Sequence, residues 1–416
     1  MKSFLFNLQF QRIFLLLLGV VLYFSMLNNW FSGFAGDDDW MVYENLHVFN
    51  LSPENVTSYF SSFYRGQYSP VNTLAYGLIY LLFGIDPLFF HGFSLILHLC
   101  NTLLVFELIR RLLHLKRGSI AEIQIQNNSY QSIAFVTALL FLVHPLQVES
   151  VVWISASKVL LYSCFFLSGL ILYLRYLITS KKVFYCLTFL IFVLAFGAKE
   201  QTVVFPLVLV LLDWYLNRDL KSKRVIIEKI PFFLFSLGFS IITILAQQTG
   251  FSNKLQNEYY PLMDRLFLAS YAFVEYLIKL FIPFKLSAWY KFPMGPGEAL
   301  PSIYYFYPII VLFMGYYLWK FWSEKKYLIV FGFVFFTVNI MLTLHILPMA
   351  RGVLMADRYV YLGSIGIFFI TSSYLVNSIQ KNHTSARSKL IMSCFIVYMI
   401  VLSSYTYWYI DQWNIV

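Results

Sequence analysis

Charge is scarce in this 416-residue chain: 12% of residues are charged, against 60% hydrophobic and 20% aromatic, with a mean hydropathy of +0.70. A soluble globule carries about twice that share of charge, so the shortage excludes one. Cysteine is equally rare. Cys100, Cys164, Cys186 and Cys394 lie far apart in apolar segments with no CxxC pair, which excludes a disulfide scaffold and leaves them as small buried hydrophobes. No His/Cys group has zinc spacing, and no GxGxxG or Walker-type loop supports use of a soluble nucleotide-sugar or ATP. Low-complexity tracts, Gly/Pro-rich linkers and soluble domains are also missing, so residues 1–416 read as one integral-membrane domain.

What is present is a succession of apolar runs near the roughly 20 residues that a bilayer-spanning helix needs. This predicts an all-α polytopic membrane protein. The excess of 30 basic over 20 acidic residues sits mostly between apolar runs, where it anchors inner loops and implies no nucleic-acid partner. Ile13 to Leu27 follows Lys2 and Arg12 like a signal sequence but lacks a small-x-small cleavage site, so it reads as an uncleaved first helix.

With the amino end inside, a first span over Phe14 to Phe31 delivers Asp37, Asp38 and Asp39 to the outer face. Val71 to Phe83, between Pro70 and Gly84, is too short to cross and reads as an interfacial or re-entrant helix. Spans follow at 89–113, 131–150, 158–178, 183–198, 200–216 and 231–248, then at 304–322, 327–343, 359–379 and 389–409. Leu266 to Phe284, with Glu275 and Lys279 on one helical face, reads as a second outer-face helix, since a crossing there would put Lys320, Lys325 and Lys326 outside. The result is about eleven crossings. The longest outer segments are 32–70, 249–303 and 344–358.

Polar residues beside the apolar runs gather on that outer side: the three acids, Arg65, His91, His144, Glu149, Lys158, Lys199, Glu200, Arg351, Asp357 and Arg358. Intramembrane charge is costly, so such a gathering points to function. Each residue alone has a plainer reading. The acids can cap a solvated loop, the lysines snorkel, His91 and His98 pack, His144 breaks a helix before Pro145, and Arg358 pairs with Asp357. Their convergence favours a site for an anionic lipid-linked substrate, in which cations hold a phosphate and a carboxylate activates a hydroxyl. A transporter collects its binding groups nearer the midplane.

Ordered motifs carry a resemblance. Asp37-Asp38-Asp39-Trp40-Met41-Val42 with Asn45, Tyr68-Ser69-Pro70, Leu82-Phe83-Gly84-Ile85-Asp86-Pro87, His91 and His98 come first; His144 through Trp153, Ala198-Lys199-Glu200 with Pro206 and Asp213, and Ala356 through Leu362 follow. The chain resembles C-type (GT-C) membrane glycosyltransferases, and within them the transmembrane and tetratricopeptide-repeat O-mannosyltransferases and their bacterial relatives. The resemblance implies a GT-C-like bundle, a polyprenyl-phosphate donor carrying mannose or another hexose, an outward-facing site, and inversion at the sugar. It implies an acid of the Asp37/Asp38 pair as base, with Asp37 favoured. Donor contacts fall to Lys158, Lys199, Arg358, His91, Glu149 and His144, and sugar or acceptor contacts to Asp39, Trp40, Arg65 and Tyr68, with Trp289 and Tyr290 as further stacking rings.

Where the family often has Ser-Glu-Arg-Lys this chain has Ser155-Ala156-Ser157-Lys158, so no role for that acid and Arg carries over. The repeats are absent, which leaves acceptor recognition to the outer loops or a partner and favours a bacterial plasma membrane. The acids leave room for a divalent metal without requiring one. Protein Ser/Thr is the expected acceptor; a glycan or lipid acceptor, a flippase for lipid-linked sugars and a non-catalytic scaffold stand as alternatives.

Overall fold

The computed structural model describes residues 7–27, 36–117, 127–249, 260–295, 297–346, 352–381 and 385–413. Arg351 lies outside the described residues, as do parts of the expected first span and outer segments. Among the described residues there is no strand, only two isolated bridges, Tyr64 with Gln67 and Tyr290 with Met355.

The α-helices, in chain order, are α1 (Leu8–Leu22), α2 (Pro53–Ser61), α3 (Pro70–Phe83), α4 (Pro87–Arg117), α5 (Asn127–Val143), α6 (Val148–Val152), α7 (Ser157–Thr179) and α8 (Lys182–Ala198). Then come α9 (Phe205–Tyr215), α10 (Lys223–Gln248), α11 (Leu262–Phe281), α12 (Tyr307–Ser323), α13 (Tyr327–Ile340), α14 (Ser364–Gln380) and α15 (Ala386–Trp413).

Five described helical segments are long and apolar enough to cross a bilayer: 87–116, 154–179, 223–248, 302–323 and 386–412. A sixth, Ser129–Val143 with Pro145–Val152, is bent by 59°. Proline causes the bend. Pro145 has no N–H to donate, and the His144 imidazole instead takes the Leu146 N–H at 3.3 Å. Elsewhere single expected spans prove to be composite. The 200–216 run opens with a 3-10 turn, Glu200–Val204, before α9, and the 359–379 run overlaps the 3-10 turn Asp357–Val360 before α14. Helix α3, at 14 residues, is as short as its sequence implied.

The centre of the bundle is α4, α5, α7 and α8, with α14 against α5 and α13 against α14. Gly332 and Gly366 put the α13 and α14 backbones in direct contact, leaving no space for a Cβ. In a membrane, where the lipid is as apolar as the side chains, such close approach supplies dispersion contacts that hydrophobicity cannot. Helices α10, α12 and α15 instead show their apolar faces outward: only 17%, 0% and 11% of their most apolar stretches are buried. That is the arrangement of helices solvated by lipid.

Candidate active site

The acid-bearing loop opens at Asp37 and runs into a wide helical turn, Asp39–Tyr43, in which the Glu44 N–H reaches the Asp39 carbonyl at 2.6 Å. Its neighbour Asp38 points inward and is buried. The Asp38 carboxylate accepts the Ser155 backbone N–H at 2.6 Å and the Ser155 hydroxyl, so it ties the first loop to the start of α7. Tyr76 reinforces this join, with its hydroxyl 2.7 Å from the Ile154 carbonyl and 2.8 Å from the Ser157 Oγ. Asp37 faces the other way, into a cavity of about 370 Å³. There the Trp40 indole N–H donates to its Oδ1 at 3.0 Å. Asp39 is exposed and does not line the cavity.

Four cations share the cavity with Asp37: Arg65, Lys158, Lys199 and Arg358. Arg65 reaches it from a tight turn closed by reciprocal Tyr64/Gln67 backbone bonds of 3.0 and 2.9 Å. Arg65 and Gly66 both have positive φ, +45° and +79°, the pattern of a type I′ turn, and Gly66 adopts it without Cβ strain. The Arg65 guanidinium stands 5.7 Å from the centre of the Trp40 ring. Lys158, in the first turn of α7, donates to the Gln67 side chain at 2.9 Å. Lys199 and Glu200 enter where α8 gives way to the 3-10 turn.

Arg358 is the most firmly held. Its backbone N–H reaches Glu149 Oε2 at 2.6 Å, its guanidinium bonds Glu149 Oε1, and it lies 4.9 Å from the Trp153 ring centre. Burial works against its charge, but Glu149 outweighs this and raises its pKa above the ordinary guanidinium value. The carboxylate of Glu149 is fully buried beneath the cavity and orients a cation instead of touching a ligand.

Asp357 lies behind the same segment. Tyr290 donates to its Oδ1 at 2.7 Å and Tyr409 to its Oδ2 at 3.2 Å, tying the Arg358 segment to the 282–295 loop and to α15. Burial pushes the Asp357 carboxyl well above the usual carboxylate range, and the charge of Glu149 pushes it the same way.

The cavity therefore brings together Asp37, Trp40, Arg65, Tyr68, Lys158, Lys199, Arg358 and Trp289. It leaves out His91 and His144. His91 is buried in α4, and His144 caps the bend, with its Nε2 3.2 Å from the Leu280 carbonyl. Tyr290 lies behind Trp289, bonded to Asp357. Sequence reasoning missed several polar members, among them Gln67, Ser155, Thr243 and Gln247. The adjacent Arg65-Gly66 pair was the available signal for a turn that aims Gln67; nothing local to Ser155 marks it as the partner of an acid 117 positions earlier. Among the described residues, no group of three or more His, Cys, Asp or Glu is arranged to hold a metal ion.

One wall of the cavity consists of Thr243, Ala246 and Gln247, from the last turns of the outward-facing helix α10. The site thus borders the surface that lipid would cover. A mixed cluster of two carboxylates, Asp37 and Glu200, with several cations and aromatic rings beside a lipid-exposed helix can bind a phosphate headgroup and accept a proton from a hydroxyl.

No protein-family model matches the chain. Curated relatives include a protein O-mannosyl-transferase of Caenorhabditis elegans, 24% identical over 240 residues, which are 57% of this chain and 32% of that protein. Protein O-mannosyl-transferases TMTC1 of Mus musculus and Homo sapiens are 28% and 29% identical over 151 residues, 34% of this chain and 14% and 16% of theirs. The matched segments thus span about a third or less of these relatives. The motifs of this chain and the names of its relatives converge on one resemblance, to the protein O-mannosyl-transferases.

Proposed function

We propose that the chain transfers mannose or a similar hexose from a polyprenyl-phosphate donor to a protein Ser/Thr hydroxyl, with inversion, at the outer face of a bacterial plasma membrane. The observation that carries this reading is one cavity that holds Asp37, Glu200 and four cations together beside the lipid-facing helix α10. About eleven crossings, with the shorter apolar helices counted among them and the amino end inside, set the cavity on the outer side in this reading.

The donor phosphate sits against Lys158, Lys199, Arg358 and Arg65, with its polyprenyl chain lying outside along α10. Asp37 takes the proton of the acceptor hydroxyl as its oxygen attacks the anomeric carbon from the face opposite the phosphate. The bond from that carbon to the phosphate oxygen breaks, its electron pair leaves with the polyprenyl phosphate, and the sugar inverts. Cations preorganised around the departing phosphate stabilise the charge that develops there. Asp38 does not act as the base in this scheme, since Ser155 occupies its carboxylate.

The test is transfer from polyprenyl-phosphoryl-mannose to serine- and threonine-containing acceptors by wild type and by the Asp37→Asn and Asp38→Asn variants, with release of polyprenyl phosphate followed in parallel. Loss of both signals in a folded, donor-binding Asp37→Asn supports the reading, and full activity in that variant overturns the choice of base. Donor translocated across vesicles without cleavage would mark a flippase instead.

A further inference from the structure

A second, smaller cavity of about 30 Å³ adjoins the first and shares Trp40, Gln67 and Ser69 with it. The two differ in chemistry. The large one is lined by Asp37, Glu200 and four cations, whereas the small one has no Asp, Glu, Lys or Arg in its described lining. It is walled instead by Asn45, His47, Ser62, Tyr64 and Thr73, together with the rings of Trp40, Tyr59 and Tyr76.

Its walls are braced. His47 Nδ1 lies 2.8 Å from the Asn55 Oδ1, and the imidazole meets the Tyr59 and Tyr64 rings edge-on at 5.5 and 5.6 Å. The Tyr59 hydroxyl donates to the His47 carbonyl, and the Ser62 hydroxyl donates to the Ser58 carbonyl at 2.6 Å. Helix α2, which carries Tyr59, is capped at Ser52 and has Pro53 at its first position. These contacts tie the His47 and Tyr64 side of the notch to helix α2.

We infer that this notch is an acceptor subsite, which takes a small uncharged side chain of the acceptor polypeptide next to the hydroxyl that reacts at Asp37. Its volume suits a methyl or hydroxymethyl group, and a polar wall without Asp, Glu, Lys or Arg favours a neutral group over the phosphate or a charged side chain. Trp40 joins the two sites physically: its ring lines the notch while its N–H holds the Asp37 carboxylate. Filling the notch therefore also packs the residue that orients the base. The inference rests on the transferase reading above.

The experiment uses the full chain in detergent or nanodiscs, with polyprenyl-phosphoryl-mannose and a panel of serine peptides. Residues flanking the serine are varied through Gly, Ala, Ser, Leu, Asp and Lys. Wild type should favour peptides with a small neutral neighbour over those with Leu, Asp or Lys by about tenfold or more in kcat/KM, the scale at which a rigid pocket rejects surplus methylenes. Ser62→Leu, which fills the mouth of the notch, should erase that preference by raising KM for the small-neighbour peptides while donor affinity stays unchanged. Thr73→Ala, which enlarges it, should instead relax the exclusion of Leu.

A wild-type enzyme indifferent to the flanking residue overturns the subsite, and so does Ser62→Leu with an unaltered peptide profile. Weakened donor binding in both variants assigns the notch to the donor and likewise overturns it. Absence of transfer to every peptide from wild type defeats the underlying reading, a result distinct from transfer that ignores the notch.

Discussion

Two charged clusters contrast in this molecule, the Asp37 cavity and the network around Asp213. Helix α7 connects them: Lys158 in its first turn lines the cavity, and Tyr173, 15 residues and about 22 Å along, joins the network. At Asp213 every oxygen is engaged. Tyr173 donates to Oδ1 at 2.7 Å, Arg218 bonds both oxygens at 3.0 and 3.1 Å, and Lys229 stands 2.6 Å from Oδ2. Glu228 extends the set, accepting from Arg218 at 2.9 Å, Tyr176 at 2.6 Å and Arg224 at 3.1 Å. These groups have used one another up, fastening α7, α9 and α10 at one end. At the other end charges of both signs surround open space. The same residue types act as a fastener where they fill the space between helices and as a candidate binding site where they line a cavity.

That contrast breaks first if stability and activity fail to separate. Asp37→Asn should cost transfer about 10²- to 10⁴-fold with little change in thermal stability, because a general base is removed from a cavity and no packing is lost. Asp213→Ala should do the reverse. It strands Arg218 and Lys229 and should cost about 3 to 5 kcal/mol by the precedent of broken buried pairs, with turnover per folded molecule largely kept. A chemical-denaturation series alongside turnover reads both, and equal activity losses in the two variants would end the distinction.

Asp38→Asn should fall between them. Its amide is a weaker acceptor for the Ser155 N–H and hydroxyl, worth about 1 to 3 kcal/mol, and the loop carrying Asp37 loosens with it. Turnover should drop less than in Asp37→Asn, and the loss should be recovered partly at lower temperature.

Asp357 sharpens the comparison at smaller amplitude. Its folded pKa is raised, so the fold favours its protonated form. Its contribution is fully present below the unfolded carboxyl value of about 3.9 and is lost as pH rises towards the folded value. Asp357→Asn should flatten that part of the stability–pH curve measured by thermal melts from pH 4 upward, and should leave the hydrogen bond from Tyr290 an oxygen to reach. The smallest effect expected is from chelation: transfer carried by protein cations should survive EDTA, and a divalent requirement would show as loss restored by added metal.

Much of this was legible in the residues. Long apolar runs, the short helix after Pro70 and the break at His144-Pro145 follow from hydropathy length and proline chemistry, which are local properties. Asp37, Lys158, Lys199 and Arg358 stood out because charge beside an apolar run is costly wherever it lies. The division of labour among them was not legible. Asp37 and Asp38 are adjacent and chemically alike, and only the facing of the loop sends one into the cavity and the other to Ser155.

Sequence by itself determined a helical membrane protein with charges gathered beside a few apolar boundaries, because hydrophobic length and the cost of isolated charge are written residue by residue. Tertiary structure alone decided which charges pack into a closed network and which line a cavity. Glu149 and Arg358 are 209 positions apart, so their pairing is set by the bend at Pro145 meeting the Asp357–Val360 turn. Electrostatic partners depend on distance in space, and a chain's order does not contain that distance.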